Sequence, residues 1–326
     1  KYADTIQFCC PIWREDKKLL IAPISFKVDM IVALQEFDIT SFSNKLKAIP
    51  LAFVALVKIF KAMKQADHIH LRCPGNIALL ACLVQILFPN KQKTAKYAGN
   101  WDPKSQQPWS YRLQKWILSN TFLTRNMQVL VYGEWEGSTN NVKSFFTATY
   151  SEEEVQKSTS EIRNLSDEVI RFLFVGTLSK GKQPLYVIQL VEELYKRGEK
   201  VILELYGEGV LRKDLEHYIA QNNLETIVAL KGNQSKESVL KAYQSSHFLI
   251  LPSKSEGWPK VVAEAMFWGC VPIASPVSCV SYMMGNGSRG VILQEELNQD
   301  VDQIEAVISK QEVYQKMASE GQTWSR

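Results

Sequence analysis

The residues with the clearest chemical potential lie within 253–274, which read SKSEGWPKVVAEAMFWGCVPIA. Glu256 and Glu264 stand eight positions apart, with Gly257, Trp258, Pro259 and Lys260 following the first of them. Pro259 suits the first position of a helix, where its missing N–H costs nothing. The backbone amides of Gly257, Trp258 and Lys260 are then expected to point outward at a helix N-terminus, an arrangement that binds phosphate. Gly257 allows the backbone to approach a ligand closely, and Lys260 adds a cation. Two carboxylates beside a phosphate site are unsuited to phosphate itself. They are acceptors for hydroxyl groups such as those of a sugar and a ribose. The same residues also read as an ordinary helix with solvated glutamates and a core of Val261, Val262, Ala265 and Met266. The residues alone leave both readings open.

The elements that position this segment alternate regularly through the second half. Apolar runs at residues 171–176, 201–206, 227–230, 248–251 and 271–274 read as buried strands, separated by helical patterns at 184–196, 211–221, 235–245 and 259–268. Such alternation predicts a parallel sheet covered on both faces, with ligands bound at the carboxyl ends of its strands. Glu256 then sits in a strand-to-helix loop. In the first half, helices at 51–64, 77–88 and 110–120 accompany strands at 66–71, 94–97 and 128–132. The polar stretch 151–168 is read as the junction, giving domains of 1–164 and 165–326.

The spacing of Glu256, Gly257 and Glu264, continuing through Ala265, Met266, Gly269 and Pro272, resembles the E-x7-E motif of the retaining GT-B glycosyltransferases of family 4. The resemblance implies two Rossmann-like domains facing across a cleft. It implies transfer of a sugar from a nucleotide-sugar donor to an unidentified acceptor, a glycan or a lipid-linked one. Configuration is expected to be retained, with no metal or other cofactor. By the same resemblance Glu256 contacts the donor sugar and Glu264 the ribose. Residues 174–182, FVGTLSKGK, resemble the element in which an arginine and a lysine clamp the donor diphosphate. Gly176 ends its strand and Lys182 falls on the lysine. Thr177 stands where the arginine belongs, and Gln183 replaces a glycine. Lys180 and Lys254 are candidates to replace the absent cation. Gly207, in the turn after the next strand, and Gly232, after the one beyond it, complete the expected donor site. Gly285 to Gly290 resemble a further loop beyond it.

The resemblance covers residues 165–295 well and the first half loosely. The family's opening strand and glycine-rich acceptor loop are not evident, and the first domain is expected to be incomplete. Acceptor-side candidates are Arg72, placed just after a strand, and Asn100, Trp101 and Asp102. Structural roles are open for all four. Rival readings of the same fold are a nucleotide-sugar epimerase, a sugar phosphorylase, or a relative that binds a nucleotide sugar without turnover. No strand is followed by the glycine fingerprint of dinucleotide dehydrogenases.

Composition sets wider bounds. The chain has 326 residues, 46% hydrophobic and 22% charged, with a net charge of +4. Residues 1–164 hold 21 basic and 14 acidic residues, against 17 and 20 in 165–326. The basic half fits an anionic acceptor or peripheral contact with an inner membrane face, or a chance imbalance on solvated faces. Nucleic acid is disfavoured, since no arginine-rich run or stacking motif accompanies the charge. Six cysteines without framework spacing fit a reducing cytoplasm. His68 and His70 share one strand face, in a structural role. No apolar stretch reaches the roughly 20 residues of a membrane span.

Overall fold

The computed structural model describes residues 3–12, 24, 26–36, 42–146, 162–165 and 169–326, with the backbone course alone for 42–48. The chain divides into two compact units, Lys1–Phe145 and Phe146–Arg326. The junction expected at 151–168 falls largely outside the described residues.

In the first unit, β1 (Gln7–Pro11) pairs in parallel with β2 (Met30–Leu34). An opening strand therefore exists where the sequence showed none; at five residues with two cysteines and a proline, its apolar signal is weak. Helix α1 (Phe42–Gln65) follows, longer than expected and running through Pro50. A four-stranded parallel sheet then forms in the order β3 (His68–Cys73), β4 (Gln92–Tyr97), β5 (Met127–Val131) and β6 (Val142–Ser144). Helices α2 (Asn76–Val84) and α3 (Trp109–Ser119) connect its first three strands. Because α1 persists to Gln65, β3 starts two residues later than expected. Arg72 thus lies within the strand, paired opposite Lys96, rather than after it. His68 and His70 do share a face: both rings hydrogen-bond Thr94 Oγ1, at 2.9 and 2.8 Å.

The second unit holds a six-stranded parallel sheet. Its strands in chain order are β7 (Ile170–Val175), β8 (Val201–Tyr206), β9 (Val228–Gly232), β10 (Phe248–Leu251), β11 (Val271–Ala274) and β12 (Val291–Ile292). In space they run β12-β11-β10-β7-β8-β9. The helices are α4 (Pro184–Lys196), α5 (Arg212–Gln221), α6 (Lys236–Ser245), α7 (Lys260–Phe267), the short α8 (Val280–Met283), α9 (Leu297–Ile308) and α10 (Gln311–Ser325). The central strands are apolar along their whole length because both faces are covered: every residue of β10 and β11 is buried. Phe172 and Phe248 stack across neighbouring strands at 5.3 Å. From β7 the chain winds outward through β8 and β9, then returns to the other side of β7 to lay down β10. The order reverses between β7 and β10, a switch point of the kind at which parallel α/β sheets bind ligands, beyond the carboxyl ends of their strands.

Candidate functional site

Two loops emerge at the switch point, one from β7 and one from β10, and they are stitched together. The amide of Lys254 donates to the Gly181 carbonyl at 2.9 Å, and Gln183 Nε2 donates to the Pro252 carbonyl at 2.6 Å. Gln183 adopts a left-handed conformation with φ 50° as it caps α4. Within this frame Lys182 Nζ forms an ion pair with Glu256 Oε1. The two side chains are 28% and 10% exposed, so their attraction is screened far less than that of a surface pair. Lys180 and Thr177 are exposed on the first loop, and Lys254 is exposed on the second.

Pro259 caps α7 rather than opening it, with ψ of 89° outside the helical range. The helix begins at Lys260 and is only eight residues long. Just before it, the Gly257 carbonyl accepts from Ser278 Oγ at 3.2 Å and Cys279 Sγ at 3.3 Å. Carbonyl and N–H of one trans peptide point in opposite directions. Anchoring this carbonyl therefore turns the Trp258 amide away from Ser278 and Cys279. The Trp258 ring is engaged by Phe146 at 5.6 Å and Trp324 at 6.3 Å.

Glu264 lies one face further along α7, where Tyr243 on α6 donates to its Oε2 at 3.0 Å. Burial pushes the Glu264 carboxyl above its usual range, against the opposing pull of the Tyr243 hydroxyl, Lys260 and Lys236. A carboxylate raised by burial near the carboxyl ends of a parallel sheet's strands is a functional candidate. Ser253 and Ser275, both fully buried, follow neighbouring strands β10 and β11. Their hydroxyls meet no hydrogen-bond partner among the described residues. Buried hydroxyls are almost always satisfied, so this pair calls for a ligand or water.

The glycines at the ends of β7, β8 and β9 interlock. Gly176 N donates to Tyr206 O, and Gly207 N donates to Gly232 O, each at 2.9 Å. Gly207 has φ of 135°, and a Cβ there would lie 2.0 Å from the Gly176 carbonyl oxygen. Backbone packing alone therefore demands glycine at 207. The structure thus gathers Gly176, Thr177, Lys182, Gly207, Gly232, Gly257, Trp258, Pro259, Lys260, Glu256 and Glu264 at one end of one sheet.

The first-unit candidates separate. Arg72 lines a cavity of about 490 Å³ with Pro11, Glu36, Gly75 and Asn76. Asn100, Trp101 and Asp102 hold their own loop. Asn100 Oδ1 accepts from the Asp102 amide at 2.8 Å, and Lys115 Nζ donates to the carbonyls of Trp101 and Asp102. Trp101 is buried edge-on against Tyr97 at 4.9 Å. Sequence reading missed Tyr243, Ser253, Ser275, Ser278 and Cys279. Only Ser253 lay inside a recognisable motif; the others act from elements distant in sequence.

Two α/β units with all-parallel sheets have the GT-B glycosyltransferase architecture. HepE of Anabaena, solved in complex with UDP and glucose, aligns with a TM-score of 0.64 and 14% identity over 91% of this chain and 81% of that one. The chain belongs to the family described as Glycosyl transferases group 1, which matches residues 155–324. Among curated relatives, the alpha-D-kanosaminyltransferase of Streptomyces kanamyceticus is 26% identical over 147 residues, 45% of this chain and 38% of that protein. An N-acetyl-D-galactosaminyltransferase of Campylobacter jejuni, acting on an undecaprenol-linked glycan, is 24% identical over 265 residues, 80% of this chain and 68% of the relative. The matches span less than half the length of the first four curated relatives.

Proposed function

We propose that the second unit binds a nucleotide-sugar donor at the β7/β10 switch point. The chain then transfers the sugar to an acceptor hydroxyl held by the first unit, with retention of configuration and without a metal ion. The observation that carries this reading is the Lys182–Glu256 ion pair, set between the two loops where the strand order reverses. Lys182 turns to the diphosphate when the donor enters, and Glu256 is freed for the sugar hydroxyls. The bond from the anomeric carbon to the diphosphate breaks, that carbon bonds the acceptor oxygen, and the acceptor proton passes to the departing diphosphate. Negative charge grows on the leaving group during this step, so a cation already in place lowers the barrier. Lys180 and Lys254, on the same two loops, stand in for the arginine absent at Thr177. Glu264 accepts from the ribose hydroxyls, and the Trp258 and Lys260 amides face phosphate. The acceptor is a glycan or a lipid-linked glycan, and Arg72, which lines the cavity of the first unit, is assigned to its side. The free cysteines favour a cytoplasmic setting.

A panel of nucleotide sugars screened by thermal shift tests the reading. Ligand at about a hundred times its Kd adds roughly 2.7 kcal/mol of stability. The expected result is stabilisation by at least one uridine or guanosine diphosphate sugar, and release of the diphosphate when acceptor glycans are added. No stabilisation by any member of the panel would overturn it. Stabilisation without turnover on any acceptor would leave a binding protein.

A further inference from the structure

The helical layer of the first unit carries an apolar, basic face that the proposed reaction does not use. Helix α2 packs against both α1 and α3, so the three form one layer beside the sheet. On α1, Ile49, Phe53, Val57 and Phe60 recur at spacings of four, four and three, one side of a helix, and all are exposed. Phe60 meets Phe88 at 5.2 Å, which joins this stripe to Leu87, beyond the end of α2 and 65% exposed. On α3, Trp109 and Trp116 lie two turns apart, 53% and 60% exposed. Just beyond, Phe122 is 70% exposed with the Arg125 guanidinium 4.7 Å over its ring. So many large exposed apolar groups on one layer mark an interaction surface.

Charge identifies the occupant. Helices α1, α2 and α3 together hold seven lysines and arginines and not one aspartate or glutamate. Residues 1–145 carry 19 basic and 10 acidic residues, whereas 146–326 carry 19 and 24. A second copy seated on this face would oppose like charges, which disfavours self-association. Among the described residues no helix is long and apolar enough to cross a membrane. Apolar and aromatic groups on one side of a helix, with lysines alongside, instead suit a helix lying in the plane of an anionic bilayer.

We infer that the α1–α3 face docks on an anionic phospholipid surface. The apolar side chains enter the headgroup boundary, and Lys61, Lys64, Arg112 and Arg125 meet lipid phosphates. The full chain is sedimented with vesicles of phosphatidylcholine alone and of phosphatidylcholine mixed with phosphatidylglycerol. The expected result is binding to the mixed vesicles at least roughly tenfold tighter, weakened by salt, since each basic residue near the surface contributes about fivefold. Lys61→Glu with Lys64→Glu should abolish that preference. Phe53→Ser with Val57→Ser should weaken binding while leaving the circular dichroism spectrum unchanged, because both residues are exposed. Tryptophan emission should shift to the blue as Trp109 and Trp116 enter the interface.

Absence of binding to the mixed vesicles would overturn the inference, as would binding indifferent to both double variants. A dimer by light scattering that Phe53→Ser dissolves would assign the face to a second copy instead.

Discussion

Lys182 and Glu256 come from loops after different strands, β7 and β10, and meet as an ion pair over the point where the sheet reverses its order. Both groups are required by the proposed ligand, one for the diphosphate and one for the sugar. Each satisfies the other, which keeps two charges compensated; in the proposed reaction the donor replaces both partners. Removing one alone strands the other in a poorly hydrated site. Lys182→Met is expected to lower stability by about 1–2 kcal/mol. The double variant Lys182→Met, Glu256→Gln should recover much of that loss. Urea denaturation of the single and double variants measures the coupling; simple additivity would mean that the pair does not interact.

The carboxyl of Glu264 gives a pH signature. Its folded-state value is raised by burial, so its contribution to stability is fully present below the unfolded value and is lost as pH rises through the folded one. Glu264→Gln should therefore gain stability relative to the parent as pH climbs from about 4 to about 7, while losing affinity for donor. Denaturation midpoints at several pH values check this. A variant whose stability stays parallel to the parent across that range would show that Glu264 ionises without cost.

Ser253 offers the cleanest separation of folding from binding. Its buried hydroxyl has no partner among the described residues, so Ser253→Ala should leave stability unchanged or raise it by up to about 1 kcal/mol. Donor affinity should fall by a comparable free energy. Calorimetric unfolding and donor titration on the same preparation would reveal either effect without the other.

Gly207 tests the interlocked strand ends. Gly207→Ala forces a methyl group against the Gly176 carbonyl at a φ that side chains avoid. A loss on the order of 3 kcal/mol is expected, visible as a drop in Tm. A variant as stable as the parent would show that the β7 and β8 turns move apart freely.

Much of the second unit was legible from residues. Strands at 201–206, 248–251 and 271–274 and the helix at 184–196 appear with the bounds their apolar runs set. Fully buried parallel strands are hydrophobic throughout and stand out between polar turns, which is why β10 and β11 were plain. The first unit was less clear. Its β1 and β2 are short and half exposed. In the second unit, the terminal α9 and α10 lacked a motif to draw attention to them. Within the site, Glu256 and Lys182 were found because each sits in a recognisable motif. Their direct contact was not, since nothing in sequence states that loops seventy residues apart are stitched through Gly181 and Pro252. Tyr243 and Ser278 were hidden for the same reason: a partner is a property of packing. The expectation for Pro259 failed by one position, because ψ of 89° leaves it just outside the helix it introduces.

The most direct test of the donor site is calorimetric titration of UDP-glucose, with other nucleotide sugars if it is silent, into the parent chain and Glu264→Ala. The account predicts saturable binding to the parent and at least roughly tenfold weaker binding to the variant, the loss of a hydrogen bond to a charged group. Equal affinity in the two proteins, with both folded, would contradict it.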